Sequence, residues 1–265
     1  MIVNNYLNTL VEMGSSWVFN FTLSKSYPAN TTIRFIFPQG FSTVKIQCNI
    51  TGISDAAQQT RVFPNGRVYD CLNIKSTIAA SLSVIVSGVI NPNYAMTVSG
   101  IEAHILQPNS IVVLEKIQMN PAPAVTISQK AMNVSVTIPN LFRNNTLTYI
   151  FQINMDSDLT VGDYIQLRLT GNWTYFVNDS IFIEGVNSDA THTPVFQTSY
   201  NWPSASDIFI RNFSSIYRSS QIAFYISLRT PLIANTYSLT LSAYRSNGGL
   251  VERYTQPIAI NATTG

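Results

Sequence analysis

Few residues in this chain could carry out acid–base or nucleophilic chemistry. The 265 residues include only two histidines, His104 and His192. Alternating apolar and polar residues place His104 on a strand, whereas Thr191-His192-Thr193-Pro194 is typical of a loop. A lone histidine is more often a surface or hydrogen-bonded residue than a base. Neither cysteine is close to a histidine in sequence, and the Gly-X-Ser-X-Gly motif is absent. We therefore expect no catalytic residues and no enzymatic activity.

The one acidic cluster is Asp156-Ser157-Asp158 with Asp163. Several carboxylate oxygens close together can bind calcium. The same residue types also form solvated turns through their own side-chain hydrogen bonds, and this is the interpretation we favour. The matching stretch of the first half, Lys25-Ser26-Tyr27, is not acidic. Phosphate loops, dinucleotide fingerprints and zinc spacings are absent, so we expect no metal and no cofactor.

Cysteines and glycosylation sequons both indicate an oxidising compartment. A bond between Cys48 and Cys71 would close a loop of about 24 residues and contribute roughly 3 kcal/mol. The alternative is two buried free thiols; we favour the disulfide because the sequons point to the same compartment. About five Asn-X-Ser/Thr sequons are expected from composition alone. The chain has nine, at Asn20, Asn30, Asn49, Asn133, Asn144, Asn172, Asn178, Asn212 and Asn261.

The composition is poor in charge. Charged residues make up 11% of the chain, against roughly 25% in ordinary soluble domains. Such a surface needs another cover, either glycan or packing into an assembly. The net charge is +2 and the basic residues are scattered, so nucleic acid and anionic membranes are poor partners. No apolar run approaches the roughly 20 residues that span a bilayer. The N-terminal residues do not form a signal peptide, so a secreted form would be part of a longer protein.

Alternation with a period of two runs through nearly the whole chain, and helical spacing is nowhere sustained for three turns. Half-buried strands have this pattern. Clusters of Gly, Pro, Asn and Ser separate the runs at short intervals, including residues 64–66 and 246–249. Together these features predict an all-β protein built as a sandwich.

An internal repeat divides the chain. Residues 17–23 and 33–37 recur as 149–155 and 165–169 at a constant offset of 132, with every inward-facing position matched. A second match places Asn91-Pro92 opposite Thr230-Pro231. The two offsets differ because loops take up insertions while strands keep their register. The repeat predicts two tandem immunoglobulin-like β-sandwich domains, 1–130 and 131–265, joined by a stiff Pro-rich stretch.

Two tryptophans lie outside the apolar pattern of the strands. Trp173 is the middle residue of a sequon, where it could pack beneath the first sugar. Trp202 lies in a polar, loop-like stretch. Aromatic side chains in such surroundings are typical of binding surfaces. Both are therefore candidates for contact with a partner, Trp202 more than Trp173.

The order of elements in the first half resembles repeats of very large extracellular proteins from ciliated protists. The elements are an alternating aromatic strand at 17–23, an Ile-rich strand running into Phe37-Pro38, the two cysteines, and a strand that ends in Asn91-Pro92. The second half lacks both cysteines and has Thr170 and Thr230 in place of Pro38 and Asn91. The resemblance implies tandem sandwich repeats in a surface coat, stalk or filament, with no catalytic residues.

We therefore expect an extracellular or cell-surface, N-glycosylated structural protein, a subunit or repeat of a fibre, stalk or coat. Its partners would be copies of itself or neighbouring repeats in a linear assembly. The segments 1–13 and 255–262 are the strands expected to pair with an adjacent unit. The alternative is an adhesin or receptor ectodomain that binds a protein or carbohydrate through the loops around Trp202.

Overall fold

The fold is described from a computed structural model of the chain. Its description covers all residues except 1, 7, 52–58, 65, 73, 120–124, 139–140, 176–194, 202–204, 212–220 and 263–265. Within strands, the side chains at 2–6, 21, 43–45, 59, 119, 175, 195–201 and 205–206 also lie outside that description. The sequon residues Asn178 and Asn212, together with Trp202 and His192, fall outside the described residues.

The described chain folds into two compact units, Met1–Ser128 and Gln129–Gly265, called unit 1 and unit 2 below. The strands of unit 1 are β1 (Ile2–Tyr6), β2 (Gly14–Thr22), β3 (Thr32–Ile36), β4 (Ser42–Ile50), β5 (Gln59–Val62), β6 (Val68–Leu72), β7 (Ser81–Ile90), β8 (Met96–Thr97), β9 (Ile101–Leu106), β10 (Val113–Met119) and β11 (Thr126–Ile127). Those of unit 2 are β12 (Lys130–Ala131), β13 (Asn133–Thr137), β14 (Thr146–Asn154), β15 (Tyr164–Thr170), β16 (Thr174–Tyr175), β17 (Val195–Asn201), β18 (Ala205–Arg211), β19 (Gln221–Arg229), β20 (Thr236–Tyr244) and β21 (Leu250–Ala259). The described part of the chain contains no helix that is long and apolar enough to cross a membrane.

Both units share one sheet topology, except that unit 2 adds the short strand β12, paired parallel to β21, and unit 1 has a separate two-stranded sheet of β8 and β11. In unit 1 the sheets have the orders β1-β2-β7-β4 and β10-β9-β3-β6-β5, and in unit 2 the corresponding orders are β13-β14-β19-β16 and β12-β21-β20-β15-β18-β17. Let strands A to G be β1, β2, β3, β4, β7, β9 and β10. The orders then become A-B-E-D and G-F-C, as in the immunoglobulin constant-type sandwich. The predicted all-β, immunoglobulin-like sandwich is confirmed. An extra hairpin, β5–β6 or β17–β18, lies between D and E in sequence and extends the sheet beyond strand C.

The core of unit 1 lies between its two sheets and is rich in aromatic rings. Trp17 and Phe19 on β2 are fully buried against Phe35 and Phe37 from the other sheet. The ring centroids of Phe19 and Phe35 are 4.8 Å apart, and those of Trp17 and Phe37 are 5.6 Å apart in an edge-on arrangement. Aromatic pairs at these separations contribute packing beyond the area they bury. Trp17, Phe19, Phe35 and Phe37, four of the inward-facing residues that define the sequence repeat, therefore form the core of unit 1.

A disulfide joins the two sheets of unit 1. Cys48 on β4 and Cys71 on β6 are bonded, with their Cα atoms 6.0 Å apart. Both residues are buried. The bond links strand D to the extra hairpin, whereas the conserved bridge of antibody domains joins strands B and F. The predicted bond is therefore present, and no cysteine of the chain is free.

Unit 2 buries aliphatic and aromatic residues at the equivalent positions. Tyr149, Phe151 and Ile153 on β14 face Leu167 and Leu169 on β15 in one continuous core. Rings contribute less here than in unit 1, although Phe151 stacks on Phe224 of the neighbouring strand at 4.8 Å. Equivalent inward-facing positions thus keep their burial while the residue types change, which is what a packed core tolerates when its total volume is kept.

Candidate functional site

The sequon asparagines are all accessible where they are described. Asn20 on β2 is half-buried. The exposed ones are Asn30, Asn49, Asn133, Asn144, Asn172 and Asn261. Asn30 and Asn144 have φ angles of 63° and 60°. Asparagine adopts this left-handed conformation more readily than most residues, and it occurs in tight turns. These seven side chains are therefore placed where a glycan could be attached without disturbing either core.

A cleft of about 630 Å³ opens at one end of the five-stranded sheet of unit 1. Its lining comes from the start of β3, from the hairpin β5–β6 and from the turn between β9 and β10. The lining residues are Asn30, Thr32, Arg61, Leu72, Asn109, Ser110 and Ile111. The size lies within the roughly 300–1,000 Å³ of ligand sites, but five of the seven lining residues are polar, a larger share than such sites usually have. Sequon residue Asn30 is thus part of the rim of a concave surface.

The β9–β10 turn holds apolar side chains in solvent. Ile111 is 79% exposed, and the next three residues, Val112, Val113 and Leu114, are also exposed. The Gln107 N–H donates to the Val112 carbonyl at 2.9 Å, and the Val112 N–H donates to Ser110 Oγ at 3.1 Å. Backbone hydrogen bonds therefore hold the exposed turn in place. This surface was not predicted from the sequence, although four consecutive apolar residues that break the alternation were a visible signal.

Arg61 is a fixed hydrogen-bond donor beside the cleft. Its Nη2 donates to Asp70 Oδ2 at 2.6 Å, and its guanidinium carbon lies 5.1 Å from the ring centroid of Phe63. Asp70 is fully buried and also accepts a bidentate pair from Arg34, at 2.7 and 3.0 Å. The hydrogen bond with Asp70 raises the pKa of Arg34, against the effect of burial. This cluster pins β5 and β6 to β3 and sets one wall of the cleft.

Unit 2 has the same kind of pair on the equivalent strands. Arg168 on β15 donates to Asp207 on β18 through Nε at 2.7 Å and Nη2 at 2.8 Å. The two residues are direct cross-strand partners, as are Arg34 and Asp70 in unit 1. Planar bidentate pairs add geometric specificity to the strand register. The shared pair therefore has a structural role in attaching the extra hairpin to strand C.

Trp173 is a core residue, and the hypothesis that it contacts a partner or packs under a sugar is corrected. It is 3% exposed, and its Nε1 donates to the Thr170 carbonyl at 2.9 Å. Its ring meets the rings of Tyr149 and Tyr237 edge-on at 5.9 and 6.2 Å. The burial of Trp173 was not predicted because its sequence neighbours are polar, and a short loop can still turn a single large ring inward. Trp202 lies outside the described residues.

The acidic cluster near residue 160 is engaged by basic residues. Buried Asp163 pairs with Arg245 Nη1 at 3.0 Å and accepts from the Thr160 N–H at 2.8 Å. Asp156 lies at the surface, with one carboxylate oxygen 3.6 Å from Lys130 Nζ. Among the described residues, no three His, Cys, Asp or Glu side chains come together to hold a metal ion. The turn is hydrogen-bonded as expected, but Asp163 and Ser157 are buried, so the expectation of a solvated turn is corrected for these two residues.

Two buried charged residues, Lys130 and Glu252, hold the first strand of unit 2 in place. Lys130 on β12 is the cross-strand partner of Glu252 on β21, and both side chains are buried. Lys130 Nζ donates to the Asp156 carbonyl at 3.1 Å and to Ser157 Oγ at 3.2 Å. Burial raises the pKa of the Glu252 carboxyl, while hydrogen bonds from Ser157 and the Asp156 N–H oppose the rise. The Glu252 Oε1 atom accepts that N–H at 3.0 Å. The hydrogen bonds of Lys130 and Glu252 therefore attach the edge strand β12 to the rest of unit 2.

His104 has the surroundings of a structural residue. It lies on β9, and its Nε2 is 3.0 Å from Glu102 Oε2. The same carboxylate is 3.0 Å from Lys116 Nζ on β10. The hydrogen bond from Lys116 is the main cause of a lowered pKa at Glu102, with His104 adding to it. Glu102, His104 and Lys116 form a cross-strand polar cluster at the sheet surface. Both cysteines are bonded to each other in the disulfide.

Comparison with known proteins gives structural likeness only. No protein-family model matches the chain, and no curated protein matches it. The C-terminal domain of the Streptococcus agalactiae AgI/II polypeptide BspA is similar over 96% of this chain and 95% of that chain, at 10% identity and a TM-score of 0.37. The C-terminal domain of the Streptococcus pyogenes antigen I/II-family protein AspA covers 94% and 93%, at 9% identity and a TM-score of 0.32.

A cohesin module from a Clostridium perfringens family 33 glycoside hydrolase is similar over a single stretch. It covers 51% of this chain and 100% of that module, at 14% identity and a TM-score of 0.33. None of these likenesses transfers a function to this chain.

Proposed function

We propose that this chain is an extracellular, N-glycosylated structural protein that forms a subunit or tandem repeat of a fibre, stalk or surface coat. The observation that carries the proposal is the accessibility of every described sequon asparagine, six exposed and one half-buried. The disulfide between Cys48 and Cys71 and the charged fraction of 11% support it. A glycan cover hydrates a surface that has few charged side chains to keep it soluble. The resemblance to repeats of ciliated-protist surface proteins belongs to the same proposal.

Assembly would use exposed strand edges and apolar surface. In unit 1, β10 is an edge strand, and the exposed apolar residues 111–114 lead into it. In unit 2, Leu232 and Ile233 are about two-thirds exposed in the loop before β20. Unpaired edges and contiguous apolar patches are the features through which β proteins associate. Copies of the chain, or neighbouring repeats, are the proposed partners.

The segment 1–13 is part of unit 1, and its strand β1 is an edge strand of the four-stranded sheet. Pairing of that edge with a neighbour stays a prediction. Strand β1 pairs with β2 of its own unit, and the Val11 N–H donates to the Ser128 carbonyl at 3.0 Å. Deleting 1–13 would therefore disturb unit 1 itself and could not test assembly alone. Strand β21 is likewise paired with β20 along its length. The β10 edge is a better target because its exposed side chains can be changed without touching the core.

The experiment that tests compartment and glycosylation is intact-glycopeptide mass spectrometry of native material under non-reducing conditions. We expect hexose-bearing peptides at several of the nine sequons and a Cys48–Cys71 linked peptide. Bare asparagines at every sequon together with free thiols would contradict the proposal. Assembly is tested separately by sedimentation velocity of the full chain over a concentration series. A Val112→Lys, Leu114→Lys double variant should associate less than wild type.

The second candidate is an adhesin or receptor ectodomain, favoured by the same exposed apolar turn at 111–114. Such a surface suits a foreign protein as well as a second copy. The two functions differ in what the purified chain does alone. A fibre or coat subunit self-associates with rising concentration and captures no soluble ligand. An adhesin stays monomeric and binds on a glycan array or in a pull-down, and Trp202→Ala weakens that binding if the loops around Trp202 carry it.

A further inference from the structure

Asn30 is held in a fixed position on the rim of the unit 1 cleft. Its backbone N–H donates to the Ile74 carbonyl at 2.7 Å, and its φ of 63° turns the chain into β3. The side-chain amide is exposed and makes no hydrogen bond with any residue of the described structure. Thr32, the hydroxyl residue of the same sequon, lies in the cleft wall. The attachment atom and the concave surface are therefore adjacent.

The lining of the cleft suits a sugar ring. Arg61, Asn109 and Ser110 present side-chain donors and acceptors, while Leu72 and Ile111 present apolar surface. A pyranose has hydroxyls around its rim and C–H groups on its faces, so it needs both kinds of contact. The Arg61 guanidinium is already oriented by Asp70 and loses little freedom when it donates to a hydroxyl.

Burial of the Ile111 side chain favours a ligand bound in the cleft. The turn that carries it is fixed by backbone hydrogen bonds, so its side chain cannot fold back into the core without breaking them. Covering a 79% exposed isoleucine removes apolar area from water, which favours the bound state. A covalently attached ligand does not need high affinity, because a short tether gives an effective concentration on the order of millimolar.

We propose that an N-linked glycan on Asn30 lies back on unit 1, with its first sugars in the cleft between Asn30, Arg61 and Ile111. The inference rests on the proposed function, since it requires that the chain be N-glycosylated. The glycan at this position then acts as part of the folded unit and covers Ile111, whereas Val112 and Leu114, which are changed in the assembly test, do not line the cleft. The glycan on Asn133, which stands on β13 in unit 2, serves as the exposed comparison.

The test compares the rates of native deglycosylation at Asn30 and Asn133. The full chain is secreted from a host that leaves all N-glycans oligomannose, and site occupancy is first measured by glycopeptide mass spectrometry. The folded protein is then treated with an endoglycosidase, and loss of glycan is followed at each site. We expect trimming at Asn30 to be about tenfold slower, as an intramolecular contact of modest strength would give. The difference should vanish after denaturation.

Two variants identify the contact. Ile111→Ser removes the apolar wall and should bring trimming at Asn30 close to the rate at Asn133. Val112→Ser is the matched control, because Val112 is exposed in the same turn but does not line the cleft. It should leave the protection of Asn30 unchanged. Since both side chains are exposed, neither change is expected to unfold unit 1.

The outcomes separate this inference from the function on which it rests. Glycan at Asn30 that is trimmed as fast as at Asn133 overturns the inference and leaves the function standing. So does a bare Asn30 when other sequons are occupied. Protection that Ile111→Ser does not reduce also overturns it, because the cleft is then not what shields the sugar. Bare asparagines at every site overturn both.

Discussion

Asn91 and Thr230 have the same structural role in the two units. Each is buried and directly precedes a proline at the end of an inner strand of the four-stranded sheet. Asn91 Nδ2 donates to the carbonyls of Asn8 and Leu10, at 3.0 and 2.9 Å. The hydroxyl of Thr230 donates to the Phe142 carbonyl. One polar side chain thus fixes the connection between the first two strands of each sandwich.

Asn91→Ala should destabilise unit 1 by about 1–3 kcal/mol, because two partly buried hydrogen bonds to the β1–β2 connection are lost. Urea denaturation of the full chain, with hydrogen exchange to assign the change to unit 1, measures the effect. Asn154→Ala is the matched control, since Asn154 is exposed at the end of β14. It should change stability by no more than about 0.5 kcal/mol. Equal effects of the two substitutions would contradict the role assigned to Asn91.

Removing the disulfide should weaken unit 1 and leave unit 2 unchanged. The bond spans a sequence separation of 23. The chain-entropy relation for such a loop predicts a loss of about 3 kcal/mol in the Cys48→Ala, Cys71→Ala double variant. Hydrogen exchange should show faster exchange in 1–128 only. Treatment of wild type with a reductant should have the same effect and none on the double variant. An unchanged unit 1 in both experiments would show that the bond does not constrain the fold.

Gly171→Ala should destabilise unit 2 through a steric clash as well as backbone strain. Gly171 has a φ of 90°, and a Cβ there would overlap the ring of Tyr237. That ring contacts Trp173 in the core and cannot move freely. Gly248→Ala is the control, since Gly248 has a similar φ of 84° but open space around it. The melting temperature should fall clearly more for Gly171→Ala than for the control; equal shifts would mean that the clash is relieved.

Tyr149→Phe should leave stability unchanged or raise it. Tyr149 takes the place that Trp17 has in unit 1, and its buried hydroxyl finds no hydrogen-bond partner in the described structure. Burial raises the pKa of this hydroxyl well above its ordinary value. An unpartnered buried polar group costs about 1–3 kcal/mol, which the substitution removes. Tyr27→Phe is the contrasting variant, because the Tyr27 hydroxyl donates to Glu115 at 2.7 Å. That variant should be destabilised, and thermal melts compare the two.

Glu115 should make the stability of unit 1 depend on pH. Burial alone would raise the pKa of this carboxyl, but hydrogen bonds from Tyr27 and from the Ser24 side chain and N–H hold it below its ordinary value of 4.5. A lowered pKa means that the ionised form stabilises the folded state above the unfolded pKa, and that this stability is lost as the pH falls through the folded pKa. Wild type should exceed Glu115→Gln in free energy of unfolding at pH 7. The difference should shrink as the pH falls below 4.5; a constant difference would contradict the linkage.

Strand positions and the inward faces could be predicted from the sequence because alternation has a period of two wherever one face of a strand is buried. The repeat offset of 132 matched Phe19 with Phe151 and Phe35 with Leu167, and all four residues are in the cores. The cysteine pairing was predictable because only two cysteines exist. The sequons are local motifs that can be recognised from the sequence alone. Whether their asparagines are exposed can be read only from the fold.

Other features depended on contacts between residues far apart in the chain. The pairing of β6 with β3 brings Asp70 to Arg34, and the β9–β10 turn closes a cleft beside Asn30. The exposure of Trp173 was wrongly predicted because its polar sequence neighbours indicate a surface loop, whereas its ring packs into the core beneath that loop. The sequence by itself determined the sandwich, the repeat and the positions of the sequons. Tertiary structure alone decided which polar side chains are buried and which asparagine borders a concave surface, because burial is set by residues brought together from distant strands.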